Sequence, residues 1–420
     1  MIKEFEYTYM NKYWNNQMFQ WCNYFEEGKY DLSGVDNEIF KIVMRFNKII
    51  KPIDRKSKVA CLIMNRDLVD KSPKVAKLRN YIDNKSNFNY DVLPEVKKNR
   101  YNYKLEMALR MKNYVLNLIK IRNSSAKQLG FSSYPELVLT TEEIDKSKLI
   151  RLLNKYVDDN LPKALDLIKK YDITWESWFS DLNRISSIDN TYKNTNVINQ
   201  LFEIFGLNDI NSRIQIRYME DSFSGVASEV SPGDIRIVVK PINSLFSLTT
   251  LFHEIGHAIA YNFNKEEGLY KILPASYDEA MAVVIENIAS KLLLNEYEQK
   301  KVAEIGLLEN TRCAISALFE FELWGNMSQA GELYIKHYSR LGFKINNPFI
   351  WASDTFRSID PVYIHNYVVG SVLSEALINY FIKKYSYNYR EWGKWLIDNI
   401  YIDGRKRAFK EKIESVCDLL

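Results

Sequence analysis

The segment LTTLFHEIGHAIAY (248–261) places two of the chain's four histidines four residues apart, with a glutamate directly after the first. On a helix, residues with this spacing lie on one face about 6 Å apart along the axis, so His253 and His257 can bind one metal ion. Glu254 can then accept a proton from a water molecule at an open coordination position. The segment predicts a site with one zinc ion per chain that activates water, with Glu254 as the general base.

Apolar residues surround this motif and predict that its helix is buried. Polar side chains placed among them cost free energy unless they have a partner, and a metal ion is such a partner. The alternative is a helix that carries two core or surface histidines with no shared ligand. The residues of the predicted apolar stripe are Leu248, Leu251, Phe252, Ile255 and Ile259.

A second apolar segment, SYDEAMAVVIENIAS (276–290), supplies carboxylates. Glu279 and Glu286 are separated by two helical turns and therefore share a face. Because an unpaired carboxylate is costly on a buried helix, we predict that Glu279 is the third metal ligand. Glu286 then orients a histidine or a neighbouring lobe, with Asp278 as the weaker candidate for that task. The alternative is a surface helix with two solvated glutamates.

Period-two alternation marks one β region, between residues 213 and 240. RIQIRYM and GVASEV-SPGD-IRIVV alternate, and Ser-Pro-Gly-Asp is a turn signal. The hairpin at 225–239 precedes the zinc helix, so its edge strand can bind an extended peptide through main-chain hydrogen bonds. Gly225, Val226 and Ala227 are the predicted substrate contacts.

Helical periodicity fills the rest of the chain, and the polar run NRISSIDNTYKNTN (183–196) predicts a surface loop. Gly130 is a predicted helix C-cap. We predict a mostly α-helical fold with a helical N-terminal lobe at 1–205, a catalytic lobe at 206–420, and a small antiparallel sheet next to the HExxH helix. The segment LEMALRMKNYVLNLIKI predicts one helix face formed by Leu105, Leu109, Tyr114, Leu118 and Ile121.

Charge and cysteine content argue against several classes of protein. The 57 Lys and Arg and 53 Asp and Glu leave a net charge of +4 without a basic arm, which gives no electrostatic footprint for nucleic acid. The four cysteines are far apart and form no CxxC pair, which favours a reducing compartment. Neither a signal peptide nor a membrane span is visible. We therefore expect a soluble cytoplasmic protein; its oligomeric state is left open.

The motifs TLFHEIGHAI and EAMAVVIEN resemble those of two related kinds of glutamate-zincin peptidase. These are the thimet oligopeptidase and oligoendopeptidase F family and the thermostable carboxypeptidase Taq family. In both, a Glu in a following helix is the third zinc ligand, and another Glu follows two turns later. Glu279 and Glu286 match these positions, and Glu286 with Asn287 repeats the ending of the carboxypeptidase motif.

The resemblance extends beyond the metal motif to roughly residues 100–400. LIKIRNSSAKQLGFSSYPELVL (118–139) is similar to a helix and turn of the oligopeptidases. GDIRIVV (233–239) is similar to the Asp-x-Arg-x-Thr strand of the carboxypeptidases, with Val238 where Thr is usual. The resemblance implies a two-lobed helical metallopeptidase whose deep central cleft admits short unfolded peptides.

A tyrosine-rich segment, DPVYIHNYVVG (360–370), resembles the segment that supplies a hydrogen-bond donor to the oxyanion in both families. Tyr363, His365 and Tyr367 are the candidate catalytic donors. Both families also place a His shortly before the first Tyr, whereas the preceding SDTFRSID has none. Either His365 or Arg357 takes that role, or the role is absent. The alternative for the tyrosines is a helix whose rings pack against the core.

The carboxypeptidase resemblance also implies that Arg236 binds the C-terminal carboxylate of a substrate bidentately. The alternative is that Arg236 pairs with Asp234 or Glu229 on a solvated face. The function predicted is zinc-dependent hydrolysis of short unfolded peptides by Glu-assisted attack of water, as in an oligoendopeptidase. The alternatives are a metallocarboxypeptidase, a dedicated peptide-maturation peptidase and an inactive peptide-binding module.

Overall fold

The computed structural model describes residues 1–86, 100–188, 196–204, 206, 214–220 and 224–417. Within them the chain is mostly α-helical with one small sheet, which confirms the predicted fold class. The helices before the sheet are α1 (Ile2–Phe25), α2 (Leu32–Phe46), α3 (Arg55–Asp70), α4 (Pro73–Ser86), α5 (Arg100–Gln128), α6 (Tyr134–Thr141), α7 (Lys146–Tyr171), α8 (Trp178–Ile185) and α9 (Asn196–Ile204).

After the sheet the chain returns to helix. None of the helices in the described part of the chain is both long enough and apolar enough to cross a membrane. The helices are α10 (Leu245–Phe263), α11 (Ala275–Leu293), α12 (Glu296–Leu323), α13 (Ala330–Tyr338), α14 (Thr355–Ser358), α15 (His365–Tyr385), α16 (Tyr389–Leu396) and α17 (Phe409–Ile413). Short 3-10 turns lie at Gly268–Lys271, Met327–Gln329, Ser339–Leu341 and Ile350–Ser353, and a π-helical turn lies at Ile397–Tyr401.

The sheet consists of β1 (Ile214–Tyr218), β2 (Gly225–Ser231) and β3 (Asp234–Val239), in the order β1-β3-β2. β2 and β3 form the predicted antiparallel hairpin, and Gly233 in its turn has a φ of +81° that favours glycine. β1 pairs with β3 in parallel, so the sheet is mixed and the prediction of a purely antiparallel sheet is wrong. Alternation of apolar and polar residues predicts a strand but does not define its direction in the sheet.

Helix α10 begins with reciprocal hydrogen bonds between two serines. The Ser247 N–H donates to Ser244 Oγ (3.1 Å), and the Ser244 N–H donates to Ser247 Oγ (3.0 Å). This arrangement satisfies amides that have no partner inside the helix and fixes where it starts. The five residues of the predicted apolar stripe are each at most 1% exposed, so the helix is buried as predicted.

Helices α10, α11 and α15 pack side by side, and two glycines permit their close approach. A Cβ on Gly256 of α10 would lie 2.7 Å from Cα of Ala282 in α11. A Cβ on Gly370 of α15 would lie 3.0 Å from Cβ of Val283. Any side chain at Gly256 would therefore push α10 away from α11, where the third predicted ligand lies.

Helix α5 buries a different face from the one predicted. Leu118 is buried, but Leu109 is 48% and Tyr114 is 40% exposed. Apolar residues occur on more than one side of this helix, so periodicity alone does not select the face that neighbouring helices cover. The chain leaves the helix through Gly130, whose φ of +92° confirms the predicted cap. The buried apolar residues of the helix are Met107, Ala108, Met111, Val115, Leu118, Ile119 and Ala126.

The largest apolar cluster extends from Val69 to Ile413 and includes residues on both sides of residue 205. A smaller cluster joins α1, α2 and α3 to Leu269. The division into two lobes stays a prediction, because residues 205 and 207–213 lie outside the described residues. Residues 189–195 of the loop predicted at 183–196 also lie outside them, and its first three residues belong to α8.

Candidate metal centre

The three predicted metal ligands converge in the structure. The ligand atoms of His253, His257 and Glu279 all lie within 4.8 Å of one another. His253 Nε2 is 3.2 Å from Glu279 Oε2, and His257 Nε2 is 3.7 Å from Glu279 Oε1. Three ligand atoms at these separations can surround one ion with bonds of about 2 Å.

The second nitrogen of each histidine ring faces a carboxylate. His257 Nδ1 is 2.9 Å from Asp278 Oδ1, and His253 Nδ1 is 3.3 Å from Glu286 Oε2. Because an ionised carboxylate only accepts hydrogen bonds, each Nδ1 carries the proton and each Nε2 keeps a lone pair for a metal ion. The sequence predicted Glu286 and Asp278 as candidates for orienting a histidine, and the structure places one beside each ring.

Glu279 has one buried oxygen that lacks a donor. Its Oε1 accepts a hydrogen bond from the Tyr363 hydroxyl, whereas Oε2 accepts none from any residue that the structure describes. A buried carboxylate oxygen without a donor is costly, and a bound cation removes that cost. Two imidazoles and one carboxylate are a ligand set of catalytic zinc, with a fourth position left for water or substrate. The residues present therefore fit the predicted zinc ion.

Glu254 lies next to the ligands and beneath the first residue of β2. It is 6% exposed, and burial raises the pKa of its carboxyl to about 7. A Cβ on Gly225 would lie 2.8 Å from Glu254 Oε1. A side chain at this position would displace Glu254 or Thr250, so glycine allows the main chain of β2 to lie close to the predicted base.

The predicted donors Tyr363 and Tyr367 both reach the metal centre. The Tyr363 hydroxyl donates to Glu279, and its ring stacks on that of Phe356 with centroids 5.5 Å apart. The ring centroid of Tyr367 is 6.1 Å from that of His253. Among the described residues, none forms a hydrogen bond with the Tyr367 hydroxyl. The Tyr363 hydroxyl therefore already donates a hydrogen bond, whereas the Tyr367 hydroxyl donates none to any residue that the structure describes.

His365 does not reach the metal centre. It is 1% exposed, its ring centroid is 6.1 Å from that of Phe321 in α12, and its Nε2 has no partner among the described residues. Two residues along a helix correspond to a rotation of about 200°, so His365 and Tyr367 lie on opposite sides of α15. The prediction that His365 takes the place of the upstream histidine is therefore not supported, because its ring is used in packing.

We expect His365 to affect stability in acid instead. Burial lowers its pKa to about 3, whereas an unfolded histidine titrates near 6.5. Below about pH 6.5 the unfolded chain binds a proton that the folded chain does not, so stability falls with falling pH. Between pH 7 and pH 5 the wild type should lose about 2 kcal/mol that His365→Phe does not lose. Urea unfolding at both pH values measures this, and equal losses in the two proteins would contradict it.

Arg357 is also buried, where it pairs with a carboxylate of another helix. It is 1% exposed, and its Nη1 donates to Glu320 Oε2 at 3.0 Å. A guanidinium held by a buried carboxylate is not free to stabilise an oxyanion, so the structure does not support Arg357 in place of the upstream histidine either.

Arg236 forms the ion pair that was the alternative to substrate binding. Its Nε and Nη2 donate to the two oxygens of Asp234 at 3.1 and 2.8 Å, and its Nη1 donates to Glu26 at 2.9 Å. Each of its nitrogens therefore has an acceptor already. Glu229, the other predicted partner, pairs with Lys271 at 3.1 Å. The structure does not offer Arg236 for bidentate binding of a substrate carboxylate.

The predicted peptide-binding residues begin an edge strand of the described sheet, since β2 pairs with β3 alone. Val226 packs in a small cluster with Trp21 of α1, and Ala227 packs against the largest apolar cluster. Gly225 has no side chain to offer. Val226 and Ala227 are half-buried by these contacts, so the main chain is what all three residues can offer to a peptide.

The sequence did not predict a role for two residues near the site. The Tyr261 hydroxyl donates to Asp278 Oδ2 at 2.7 Å, on the carboxylate that faces His257. Its position one helical turn after His257 was an available signal. Glu320 of α12 accepts a hydrogen bond from the main chain just before Tyr363, and no local motif indicates that contact.

Comparison with known proteins gives a fold but no match in sequence. Neither a protein-family model nor a curated protein sequence matches the chain at a significant level. Solved structures do match at high probability, and they include both kinds of peptidase that the motifs resemble.

A carboxypeptidase from Deinococcus radiodurans aligns with a TM-score of 0.70 and 11% identity, over 100% of this chain and 95% of that one. A protein described as an oligoendopeptidase F, from Bacillus anthracis, aligns with a TM-score of 0.67 and 12% identity, over 91% of this chain and 80% of that one. A carboxypeptidase from Pyrococcus furiosus aligns with a TM-score of 0.61 and 13% identity, over 99% of this chain and 95% of that one. The chain therefore has the helical fold of these peptidases, as the resemblance implied, whereas the two lobes and the deep cleft between them stay predictions.

Proposed function

We propose that this chain is a zinc-dependent peptidase that hydrolyses peptide bonds of short unfolded peptides. The observation that carries the proposal is the convergence of the ligand atoms of His253, His257 and Glu279 within 4.8 Å, with Glu254 beside them. The fold that this chain shares with both kinds of peptidase also supports the proposal. The Asp278 and Glu286 carboxylates further support it, because they keep the proton on Nδ1 of each histidine.

In this proposal His253 and His257 would hold zinc through the free Nε2 lone pairs, and Glu279 would hold it through the carboxylate oxygen that lacks a donor. When bound, zinc supplies Lewis acidity for both the attacking water and the peptide carbonyl. Glu254 accepts the proton of that water and then delivers it to the leaving amine. Its position under β2 shields the carboxylate from bulk water, so the proton is exchanged within the site.

The two tyrosines take separate roles. Tyr363 has committed its hydroxyl proton to Glu279, so it orients the ligand. Tyr367, near His253, keeps a hydroxyl that can donate to the oxyanion formed from the peptide carbonyl. The edge of β2 from Gly225 to Ala227 then binds the substrate main chain, which suits a peptidase that tolerates different sequences.

Internal cleavage is the form of the activity that we favour. The carboxypeptidase resemblance gave Arg236 the task of binding the substrate carboxylate, and the three nitrogens of Arg236 are already bonded to Asp234 and Glu26. We expect the protein to act on peptides whose C-terminal carboxylate is blocked.

Digestion of paired peptides tests the proposal. Each pair has one sequence with either a free carboxylate or an amide at its C-terminus, and mass spectrometry identifies the products. We expect internal cuts at the same bonds in both members, abolished by a zinc chelator and restored by zinc. A one-residue ladder from the free member alone would identify a carboxypeptidase instead. No cleavage of any peptide by the zinc-loaded protein would contradict the proposal.

A further inference from the structure

The backbone just before Tyr363 is strained. Val362 has a φ of +60° and is 3% exposed. Left-handed backbone is rare for residues other than glycine and rarer still for a β-branched side chain. Such a conformation persists only where surrounding contacts impose it. Since Val362 is adjacent to Tyr363, its conformation also sets the direction in which that tyrosine leaves the chain.

Glu320 of α12 provides the contact that holds this conformation. Its Oε1 accepts a hydrogen bond from the Val362 N–H at 2.8 Å and a longer one from Trp324 Nε1 at 3.4 Å. Glu320 is 2% exposed, so water does not compete for the carboxylate. A charged acceptor in an apolar environment forms a stronger hydrogen bond than a neutral one.

Arg357 in turn fixes Glu320. Its Nη1 donates to Glu320 Oε2 at 3.0 Å and to the Phe356 carbonyl at 3.1 Å, and its Nη2 donates to the Ser316 carbonyl at 3.3 Å. Removing either member would leave a buried charge without its main partner. The pair therefore joins α12 to the short α14.

Helix α14 and the residues next to it also make contacts on the side away from Glu320. The ring of Phe356, whose carbonyl Arg357 binds, stacks on Tyr363 with an interplanar angle of 9°. Arg122 of α5 donates to the Ser358 carbonyl at 2.6 Å. These contacts leave the Tyr363 hydroxyl aimed at Glu279 Oε1, so a chain of direct contacts runs from Glu320 to a predicted metal ligand.

We infer that Glu320, fixed by Arg357, is a positioning residue that holds Tyr363 on Glu279 and thereby increases the affinity of the site for zinc. The inference rests on the zinc site of the proposed function. Neither Glu320 nor Arg357 touches the metal ligands, so both act through Val362 and Tyr363. Partners that orient a metal ligand typically change metal affinity by about 10- to 100-fold.

A double-mutant cycle on zinc affinity tests this inference. Tyr363→Phe should raise the zinc dissociation constant about 10- to 100-fold, and Glu320→Gln about 10-fold, because one amide oxygen cannot serve both Val362 and Arg357. The double variant should have the same zinc dissociation constant as Tyr363→Phe alone, because Glu320 acts through the Tyr363 hydroxyl. Competition with a chelator measures the constants without any substrate. The inference would be overturned if Glu320→Gln bound zinc with wild-type affinity. It would also be overturned if the fold-change of the double variant equalled the product of the two single fold-changes.

Tyr367→Phe is the matched control, because it removes a hydroxyl from the same site without a bond to Glu279. It should leave the zinc dissociation constant within about threefold of wild type, against the larger change for Tyr363→Phe. An equal loss of affinity in both tyrosine variants would mean that the Tyr363 contact has no special role, and would overturn the inference.

A second pair of variants avoids a buried unpaired charge. Arg357→Met with Glu320→Gln keeps an oxygen for the Val362 N–H, although a neutral one, and should bind zinc more tightly than the same change with Glu320→Leu. Arg357→Met with Glu320→Leu has no acceptor, so its zinc dissociation constant should be about 10-fold higher than that of the glutamine variant. Equal affinities in these two proteins would overturn the inference.

The kinetics separate this inference from the proposed function. With an active wild type, kcat should fall in the same variants while KM changes little, because Tyr363 orients a ligand and does not bind substrate. A wild type that binds zinc but cleaves no peptide would contradict the proposed function, and the zinc affinities would still decide the positioning role.

Discussion

Glu254→Gln should retain zinc and lose almost all peptidase activity. The amide has nearly the shape of the carboxylate but cannot accept a proton from water, so kcat should fall by about 10²- to 10⁴-fold. The metal ligands are untouched, so the zinc content should stay at the wild-type level. Activity on a cleaved peptide and elemental analysis of the same samples give the two values.

The fold should tolerate this substitution. Glu254 is 6% exposed and burial raises its pKa to about 7, so a neutral side chain suits its environment at least as well as a charged one. Circular dichroism and thermal unfolding should therefore match the wild type. The control is Glu254→Asp, which keeps a carboxylate one methylene further away and should retain more activity than the amide. Wild-type turnover by Glu254→Gln would show that Glu254 is not the base.

His253→Ala should abolish stoichiometric zinc binding. The wild type should contain about one zinc ion per chain, bound by two histidines and one carboxylate. With His253 removed, two ligands remain, and the site should lose its zinc on dialysis. Zinc at 100 times its dissociation constant should also stabilise the wild type by about 2.7 kcal/mol, and the variant should not gain this. Elemental analysis and thermal unfolding with and without zinc measure both effects.

His365→Phe is the matched control, because it removes another buried histidine that faces Phe321 and not the ligands. It should keep the zinc content of the wild type. Undiminished zinc in His253→Ala would remove the basis of the metal centre, and with it the proposed function.

The parts of the site that depend on local geometry could be predicted from the amino-acid sequence. His253, Glu254 and His257 lie within two turns of one helix, so the 3.6-residue period alone brings them together. The apolar residues around them and around Glu279 predict buried helices, because apolar surface must be removed from water. The turn of the hairpin at 225–239 likewise follows from Gly233 and its neighbours.

The pairing of side chains from distant segments became known only from the tertiary structure. It assigned Asp278 to His257 and Glu286 to His253, which no spacing could distinguish. It paired Arg357 with Glu320 from another helix and so removed a candidate donor. A charged or aromatic side chain has the same sequence signature in a cleft and in a core, since its role is set by its neighbours.

The direction of strand β1 and the buried face of helix α5 also depend on contacts between distant segments. Alternation predicted β1 but not its parallel pairing with β3, because each strand can add to an edge in either direction. Periodicity predicted α5 but not that Leu109 and Tyr114 would stay exposed. A helix with apolar residues on several sides buries the side that its neighbours cover. That choice depends on the packing of the whole chain, because the free energy of burial is gained only where a neighbouring surface excludes water.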